Sequence, residues 1–145
     1  MPSKRVSATR SKAHIALFDA RWEDMVRQAI DVRKNAFAPY SKFKVGSALL
    51  TDQGEIFVGC NVENASYGLA ICAERSAVVS AVARGKQKFV AIAIAAEPLA
   101  APCGACRQFI FQFGADILVR SFEPKHPKQF REWTSGVLLP DGFEF

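Results

Sequence analysis

The sequence has no apolar run of the length that crosses a bilayer and almost no excess charge outside its first 14 residues. A membrane-spanning helix needs about 20 consecutive apolar residues, so we expect a soluble protein with no membrane partner. Residues 1–14 contain four basic residues and no acidic one, whereas the other 131 residues carry 15 basic and 14 acidic side chains. Binding of a polynucleotide normally needs a basic groove with stacking aromatic side chains. The near-neutral body therefore disfavours nucleic acid as a partner.

The N-terminal residues also lack the apolar core of a secretory signal. Their Ser/Arg-rich, acid-free character faintly resembles an organellar transit peptide, but a solvated extension is the favoured interpretation. We assign residues 1–18 to a basic, flexible tail and residues 19–145 to a single domain. Without an export signal we expect a cytoplasmic protein whose cysteines stay reduced, which favours metal binding over disulfides.

The pattern of apolar residues predicts alternating helices and strands. In chain order these are a helix over 19–37, a hairpin of strands over 42–50 and 55–61, a helix over 72–84, a strand over 89–95, a helix from 103, a strand over 116–120 and a last strand over 130–133. This order indicates a central mixed sheet flanked by helices.

Three cysteines stand at metal-ligand spacing in two short segments, Cys72-Ala73-Glu74 and Pro102-Cys103-Gly104-Ala105-Cys106. A structural zinc site uses four protein ligands, whereas a catalytic one uses three and keeps the fourth position for water. Three thiols favour zinc over magnesium or manganese. Glu74 is placed to accept a proton from that water and deliver it to a substrate atom. The pattern therefore predicts a catalytic zinc site.

Both cysteine segments enter predicted helices at their N-termini, where unpaired N–H groups and the helix dipole favour thiolates. Cys103 and Cys106 are three residues apart and share one face of the first turn. Arg75 is placed to donate hydrogen bonds to the ligand sulfurs. The alternatives are a structural zinc knuckle, a redox pair, or a fourth ligand from Cys60. Cys60 lies in a predicted strand of alternating apolar character, which favours a buried core cysteine.

Five sequence blocks, in this order, resemble the small cytidine deaminases of pyrimidine salvage, in their three-cysteine, homotetrameric branch. The blocks are Ala38-Pro39-Tyr40-Ser41-Lys42-Phe43-Lys44-Val45-Gly46, Gly59-Cys60-Asn61-Val62-Glu63-Asn64-Ala65-Ser66, Cys72-Ala73-Glu74-Arg75, Pro102-Cys103-Gly104-Ala105-Cys106-Arg107-Gln108, and Leu138-Leu139-Pro140 before Phe143. The resemblance implies a three-layer α/β/α sandwich with a central mixed five-stranded sheet. It also implies one zinc ion per subunit and a homotetramer whose active sites are shared between subunits.

By this resemblance, Cys72, Cys103 and Cys106 hold zinc, which activates a water for attack on C4 of cytosine, as in zinc deaminases generally. Glu74 protonates ring N3 and then carries the proton of the water to the departing amine, releasing ammonia. The residues that match the substrate contacts of the family are Phe43, Asn61, Glu63, Ala73 and Phe143. Phe43 matches the aromatic that packs on the pyrimidine, and Phe143 matches one that reaches the pocket of a neighbouring subunit.

The function implied is hydrolytic deamination of cytidine and 2′-deoxycytidine to uridine and 2′-deoxyuridine. The alternatives are deamination of another aminopyrimidine nucleoside, such as a blasticidin-type antibiotic, editing of cytosine in RNA or DNA, and a non-catalytic zinc-stabilised binding module. Asn61 and Glu63 match residues that hydrogen-bond ribose hydroxyls, which favours a plain ribose. Glu74 disfavours a closed structural site, which has no use for a carboxylate beside the metal.

Overall fold

The first helix, α1, covers Lys12–Arg33 in the computed structural model, which describes residues 10–145. The Ser11 hydroxyl caps it by accepting a hydrogen bond from the backbone N–H of His14 at 3.1 Å. The helix thus begins seven residues before residue 19, so the predicted start is wrong. Phe18, which lies in this additional part of the helix, is buried against the sheet. Of the tail assigned to residues 1–18, residues 12–18 are helical, and residues 1–9 lie outside the described part of the chain.

The helix also ends four residues earlier than predicted, because the chain after it pairs with a distant segment. The backbone N–H of Phe37 donates to the carbonyl of Asn61 at 3.0 Å, and the N–H of Glu63 donates to the carbonyl of Phe37 at 2.8 Å. These two hydrogen bonds pair Phe37 with residues 61–63, and the chain turns on both sides of Phe37, at 34–35 and at 39–41.

Five strands form one mixed sheet, as the sequence predicts. They are β1 (Val45–Thr51), β2 (Ile56–Cys60), β3 (Phe89–Ala96), β4 (Leu118–Phe122) and β5 (Phe130–Thr134), and their order across the sheet is β2-β1-β3-β4-β5. The strands β1 and β2 form the predicted hairpin, and β1 is also antiparallel to β3. The strands β3 and β4 are parallel, and β5 is antiparallel to β4.

Within residues 10–145, three further α-helices connect or follow the strands, together with a single 3-10 turn at Tyr67–Leu69: α2 (Ala73–Ala83), α3 (Gly104–Phe111) and the short α4 (Ser135–Leu138). The first two begin within one residue of the predicted positions, and Cys72 and Cys103 are their N-cap residues. Gly85, with φ of +81°, follows the end of α2 in the left-handed conformation that glycine adopts readily. No helix within residues 10–145 is long and apolar enough to span a bilayer.

The sheet is covered on both faces, and alternation along the strands divides the core into two clusters. Leu50, Ala91 and Ala93 face α1, where they pack with Phe18, Met25 and Ala29. Their strand neighbours Leu49, Ile92 and Ile94 face α2 and α3. In the middle of β3, the large side chains Ile92 and Ile94 thus lie on the side of the cysteine-bearing helices, while Ala91 and Ala93 face α1. This three-layer arrangement confirms the predicted fold class.

Candidate active site

The two cysteine segments meet at one edge of the sheet because of the strand directions. The strands β2 and β3 both run antiparallel to β1, so they end at the same edge. The helix α2 follows β2, and α3 follows β3. Both helices therefore begin at the edge where these strands end, which is the place where α/β folds usually bind ligands.

The sulfur atoms of Cys72, Cys103 and Cys106 lie within 4.8 Å of one another at this edge. The Sγ atoms of Cys72 and Cys103 are 3.6 Å apart. Within residues 10–145, these three form the only group of His, Cys, Asp or Glu side chains with the spacing of a metal site. A tetrahedral zinc ion with sulfur ligands at about 2.3 Å separates those sulfurs by about 3.8 Å. The donor set and its spacing therefore fit zinc.

The surroundings of Cys72 favour its ionised form. A hydrogen bond with the Cys106 thiol, together with the neighbouring guanidinium of Arg75, lowers the pKa of Cys72 to about 5. The Arg75 Nη2 lies 3.6 Å from the Cys72 Sγ. The hydrogen bond to Cys72 also raises the pKa of Arg75. The guanidinium predicted to lie beside the ligand sulfurs does contact one of them, and its positive charge stabilises a thiolate there.

Glu74 lies in the first turn of α2 and is only 5% exposed. Burial raises the pKa of its carboxyl, and the negative charge of Cys72 adds to that rise. A carboxyl with a raised pKa can both release and take up a proton near neutral pH. Glu74 lines the same cavity as Cys72 and Cys103, so the proposed proton carrier and two of the three cysteines lie at one site.

This cavity has a volume of about 240 Å³ and mostly apolar walls. Four of the predicted substrate contacts line it, namely Phe43, Asn61, Glu63 and Ala73. Sequence reasoning missed the remaining apolar wall, which is formed by Val45, Val62, Ala70, Ile71, Ile94, Ala96, Ala100 and Ala101. Two of these wall residues, Ile94 and Ala96, could have been predicted. Side chains alternate along a strand, and these two lie on the face of β3 that packs against α2.

Asn61 fixes the chain at the start of β1. Its side-chain oxygen accepts a hydrogen bond from the backbone N–H of Val45 at 2.8 Å, and its Nδ2 donates to the carbonyl of Phe43 at 2.8 Å. One amide thus holds the backbone on both sides of residue 44. It places the Phe43 side chain in the cavity wall.

Glu63 holds the loop before β1 in a similar way. Its carboxylate accepts hydrogen bonds from the backbone N–H of Tyr40 at 3.0 Å, from the N–H of Ser41 at 3.1 Å and from the Ser41 hydroxyl. The Ser41 hydroxyl and backbone are the main causes that lower the pKa of Glu63. Ser41 was not predicted as a site residue, and no sequence pattern connects it with a carboxylate 22 residues away.

Phe143, the fifth predicted substrate contact, does not line the cavity, and neither do Cys106, Arg75 and Cys60. Phe143 is 66% exposed, and its ring lies 5.2 Å from that of Phe145. Cys60 is only partly buried, because it is the last residue of the edge strand β2, so its prediction as a buried core cysteine is wrong. It does not belong to the sulfur cluster.

The fold and the site define a deaminase-like α/β domain with a three-sulfur metal centre. The sequence model described as the cytidine and deoxycytidylate deaminase zinc-binding region matches residues 20–121. A cytidine deaminase of Halalkalibacterium halodurans is 49% identical over 122 residues, which cover 82% of this chain and 91% of that relative. A cytidine deaminase of Sporosarcina psychrophila is 46% identical over 123 residues, covering 83% and 90%.

Solved structures agree with the sequence relatives. The crystal structure of a cytidine deaminase from Burkholderia pseudomallei matches with a TM-score of 0.78 at 45% identity, covering 83% of this chain and 98% of that chain. The one from Mycobacterium tuberculosis matches with a TM-score of 0.73 at 36% identity, covering 86% and 98%. The chain belongs to the cytidine and deoxycytidylate deaminase family, as its sequence blocks predict.

Proposed function

We propose that this chain catalyses the zinc-dependent hydrolytic deamination of cytidine and 2′-deoxycytidine, with release of ammonia. One observation carries the proposal: a buried carboxylate, Glu74, shares a mostly apolar cavity with Cys72 and Cys103, two members of the cluster of three cysteines. A closed structural metal site needs four protein ligands and no such carboxylate. Hydrolysis at a metal centre needs an open ligand position and a proton carrier, and this arrangement offers both.

Cys72, Cys103 and Cys106 are the proposed zinc ligands. When bound, zinc lowers the pKa of a coordinated water and thereby supplies a nucleophile near neutral pH. Arg75 offsets part of the negative charge of the three thiolates, since its Nη2 contacts the Cys72 sulfur at 3.6 Å. The positive ends of the helix dipoles of α2 and α3 offset a further part of this negative charge, because Cys72 and Cys103 occupy the N-cap positions of these helices.

Glu74 is the proposed proton carrier. Its carboxyl protonates ring N3 of the cytosine, which makes C4 more susceptible to attack. The resulting carboxylate takes up a proton of the water that adds to C4 and delivers it to the amine nitrogen, so that the C4–N bond breaks and ammonia leaves. Both transfers need a carboxyl whose pKa lies close to the working pH, and burial moves the pKa of Glu74 in that direction.

The cavity walls support a nucleoside as substrate. The Phe43 ring and the apolar wall suit the flat faces of a pyrimidine, and Asn61 and Glu63 offer polar groups for sugar hydroxyls. Among residues 10–145, no Lys, Arg or His lines the cavity, whereas Glu63 does. Proteins bind phosphate groups mainly with Arg, Lys and free helix N-termini. We therefore assign cytidine and deoxycytidine, rather than deoxycytidylate, as substrates, and expect a much lower kcat/KM for the monophosphate.

We also propose that the working form is a homotetramer with Phe143 reaching the active site of a neighbouring subunit. Large apolar side chains that are exposed in the single chain support an interface: Phe37, Tyr40, Tyr67, Leu69, Val79, Val82, Phe109, Phe143 and Phe145. Light scattering measures the mass. Mixing Glu74→Gln with Phe143→Ala chains should restore some activity if Phe143 acts across subunits.

We propose a cytoplasmic location, because three reduced thiols need a reducing compartment.

The direct test is turnover of cytidine by the zinc-loaded protein, followed by the ultraviolet change and by ammonia release. Glu74→Gln keeps the size of the side chain but cannot carry the proton, so it should lose nearly all turnover while retaining zinc and fold. Glu23→Gln, an exposed carboxylate on α1, is the matched control and should behave as the unmodified chain. Full zinc occupancy without turnover of any aminopyrimidine nucleoside would leave a zinc-stabilised binding module as the interpretation.

A further inference from the structure

Arg107 directly follows the proposed ligand Cys106, yet its side chain points away from the sulfur cluster to two backbone carbonyls. Its Nε donates a hydrogen bond to the carbonyl of Pro102 at 2.8 Å, and its Nη1 donates to the carbonyl of Leu138 at 3.2 Å. Arg107 is half-buried. The planar guanidinium presents its donors in a fixed fork, so both contacts together determine its orientation.

The first of these contacts acts on the backbone of Cys103. The Pro102 carbonyl belongs to the peptide group that ends at the Cys103 nitrogen. On the other side, the Cys103 carbonyl accepts a hydrogen bond from the backbone N–H of Arg107 at 3.0 Å. A single residue, Arg107, therefore holds the carbonyls on both sides of Cys103.

Cys103 needs this support more than the other two cysteines do. It is exposed, whereas Cys106 is buried and Cys72 is partly buried. Like Cys72, it is an N-cap residue whose side chain makes no capping hydrogen bond. The residues before it, from 97 to 102, belong to neither a helix nor a strand. Without the Arg107 side chain, the Pro102 carbonyl loses its hydrogen bond to α3.

The second contact anchors Arg107 to the core. Leu138 is the last residue of α4, is 6% exposed and belongs to the core cluster on the side of α2 and α3. Its carbonyl is therefore a fixed acceptor. The neighbouring Gln108 donates from Nε2 to the carbonyl of Phe143 at 3.1 Å, which holds the C-terminal segment on the same helix.

We propose that Arg107 is a positioning residue for the metal centre, which holds Cys103 in the ligand position by joining the Pro102 carbonyl to the buried end of α4. The proposal rests on the proposed function, in which Cys103 is a zinc ligand. It assigns Arg107 no contact with the substrate. Its effect is on how long the zinc stays bound, and the chemical step at Glu74 is left unchanged.

The test measures the rate at which zinc leaves the loaded protein for a colour-forming chelator. Arg107→Ala should release zinc about 10–100-fold faster, which is the usual effect of removing a residue that supports a metal ligand. Arg107→Lys should give an intermediate rate, because an ammonium cannot bridge both carbonyls with a planar fork. Arg33→Ala is the matched control. Arg33 also donates from Nε to a backbone carbonyl at 2.8 Å, that of Lys44, but this bond holds a segment without any of the three cysteines, so its loss should leave the rate unchanged.

A spectroscopic measurement separates positioning from general stability. Cobalt in place of zinc absorbs through its sulfur ligands, so loosening of one thiolate should weaken that absorption in Arg107→Ala but not in Arg33→Ala. The proposal would be overturned if Arg107→Ala released zinc at the wild-type rate and had an unchanged cobalt spectrum. Equal acceleration in Arg107→Ala and Arg33→Ala would overturn it too, since it would indicate general loosening. A wild-type chain without zinc or turnover would instead refute the proposed function.

Discussion

Gly59 lies where β2 passes beneath α2, and its replacement by alanine should displace the helix that begins at the metal centre. A Cβ atom at residue 59 would lie 2.3 Å from the backbone nitrogen of Ala77 and 2.6 Å from the carbonyl oxygen of Ala73. Both atoms belong to the main chain of α2, so no side-chain rotation relieves the clash. Since ordinary contacts begin at 3.4 Å, α2 must move away from β2 by about 1 Å to clear the added methyl group.

The cost follows from this displacement. Overpacking of a core usually lowers the free energy of unfolding by about 1–3 kcal/mol. We expect Gly59→Ala to lie at the upper end of this range, because the clashing atoms of α2 are main-chain atoms. For a chain of this size, 1 kcal/mol changes the Tm by about 2–4 °C, so we expect a fall of about 6–12 °C. Cys72 and Glu74 move with the start of α2. A misplacement of 1 Å at a catalytic group can reduce the rate about 10²-fold.

The assay compares Tm, zinc content and cytidine turnover for Gly59→Ala and Gly68→Ala. Gly68 is the matched control, because a Cβ there would meet no atom within 4 Å. It should leave both stability and turnover near the wild-type values. If Gly59→Ala had the Tm and kcat of the unmodified chain, the close packing of α2 on β2 would not determine the position of the site, and this reasoning would be refuted.

Three further predictions concern the metal and the polar residues of the cavity. Removal of the metal with a chelator should abolish turnover and lower the Tm, because an ion that binds only the folded chain adds to its free energy of unfolding. Added zinc should restore both the turnover and the Tm. An unchanged Tm would contradict a metal site built from two helices. Asn61→Ala should lower the free energy of unfolding by about 1–3 kcal/mol, since the Val45 N–H and the Phe43 carbonyl lose their partner; a wild-type midpoint in urea would contradict this. Glu63→Gln should lower the Tm at neutral pH, because hydrogen bonds from Ser41 lower the pKa of the folded carboxylate below the usual 4.5. Such a group stabilises the fold above its unfolded pKa and loses that effect as the pH falls through its folded pKa, so a difference in Tm that persisted in strong acid would count against it.

The parts of the structure that sequence reasoning predicted depend on local signals. The start of α2 follows from its N-cap position at Cys72, and its end follows from Gly85, whose φ of +81° suits glycine. A similar local signal marks α4, since the Thr134 hydroxyl accepts a hydrogen bond from the Val137 N–H at 3.3 Å and caps this short helix. The sheet followed from the length and apolar character of each strand. Each of these signals acts within a few residues, so the sequence displays it directly.

The parts that it missed depend on contacts between distant segments. Asn61 bonds to residues 16 and 18 positions earlier, and Arg107 bonds to a carbonyl 31 positions later. In each of these contacts a side chain bonds to a backbone group. Because every residue type has the same backbone carbonyl, the sequence contains no pattern that identifies the partner. The start of α1 was missed for another reason. Only Phe18 is buried among its first seven residues, so no apolar periodicity marks that turn.

The two halves of the metal centre are supported separately, and this separation makes their failures distinguishable. The packing of α2 on Gly59 fixes Cys72 and Glu74 as one body, whereas Arg107 fixes the entry of the chain into Cys103. Displacing α2 moves a ligand and the proton carrier together, so Gly59→Ala should reduce both zinc retention and the turnover per bound zinc. Loosening Cys103 leaves Glu74 in place, so Arg107→Ala should reduce zinc retention alone. Turnover normalised to bound zinc therefore distinguishes the two supports. An equal fall in both variants would mean that Cys103 and Glu74 are coupled through contacts other than these.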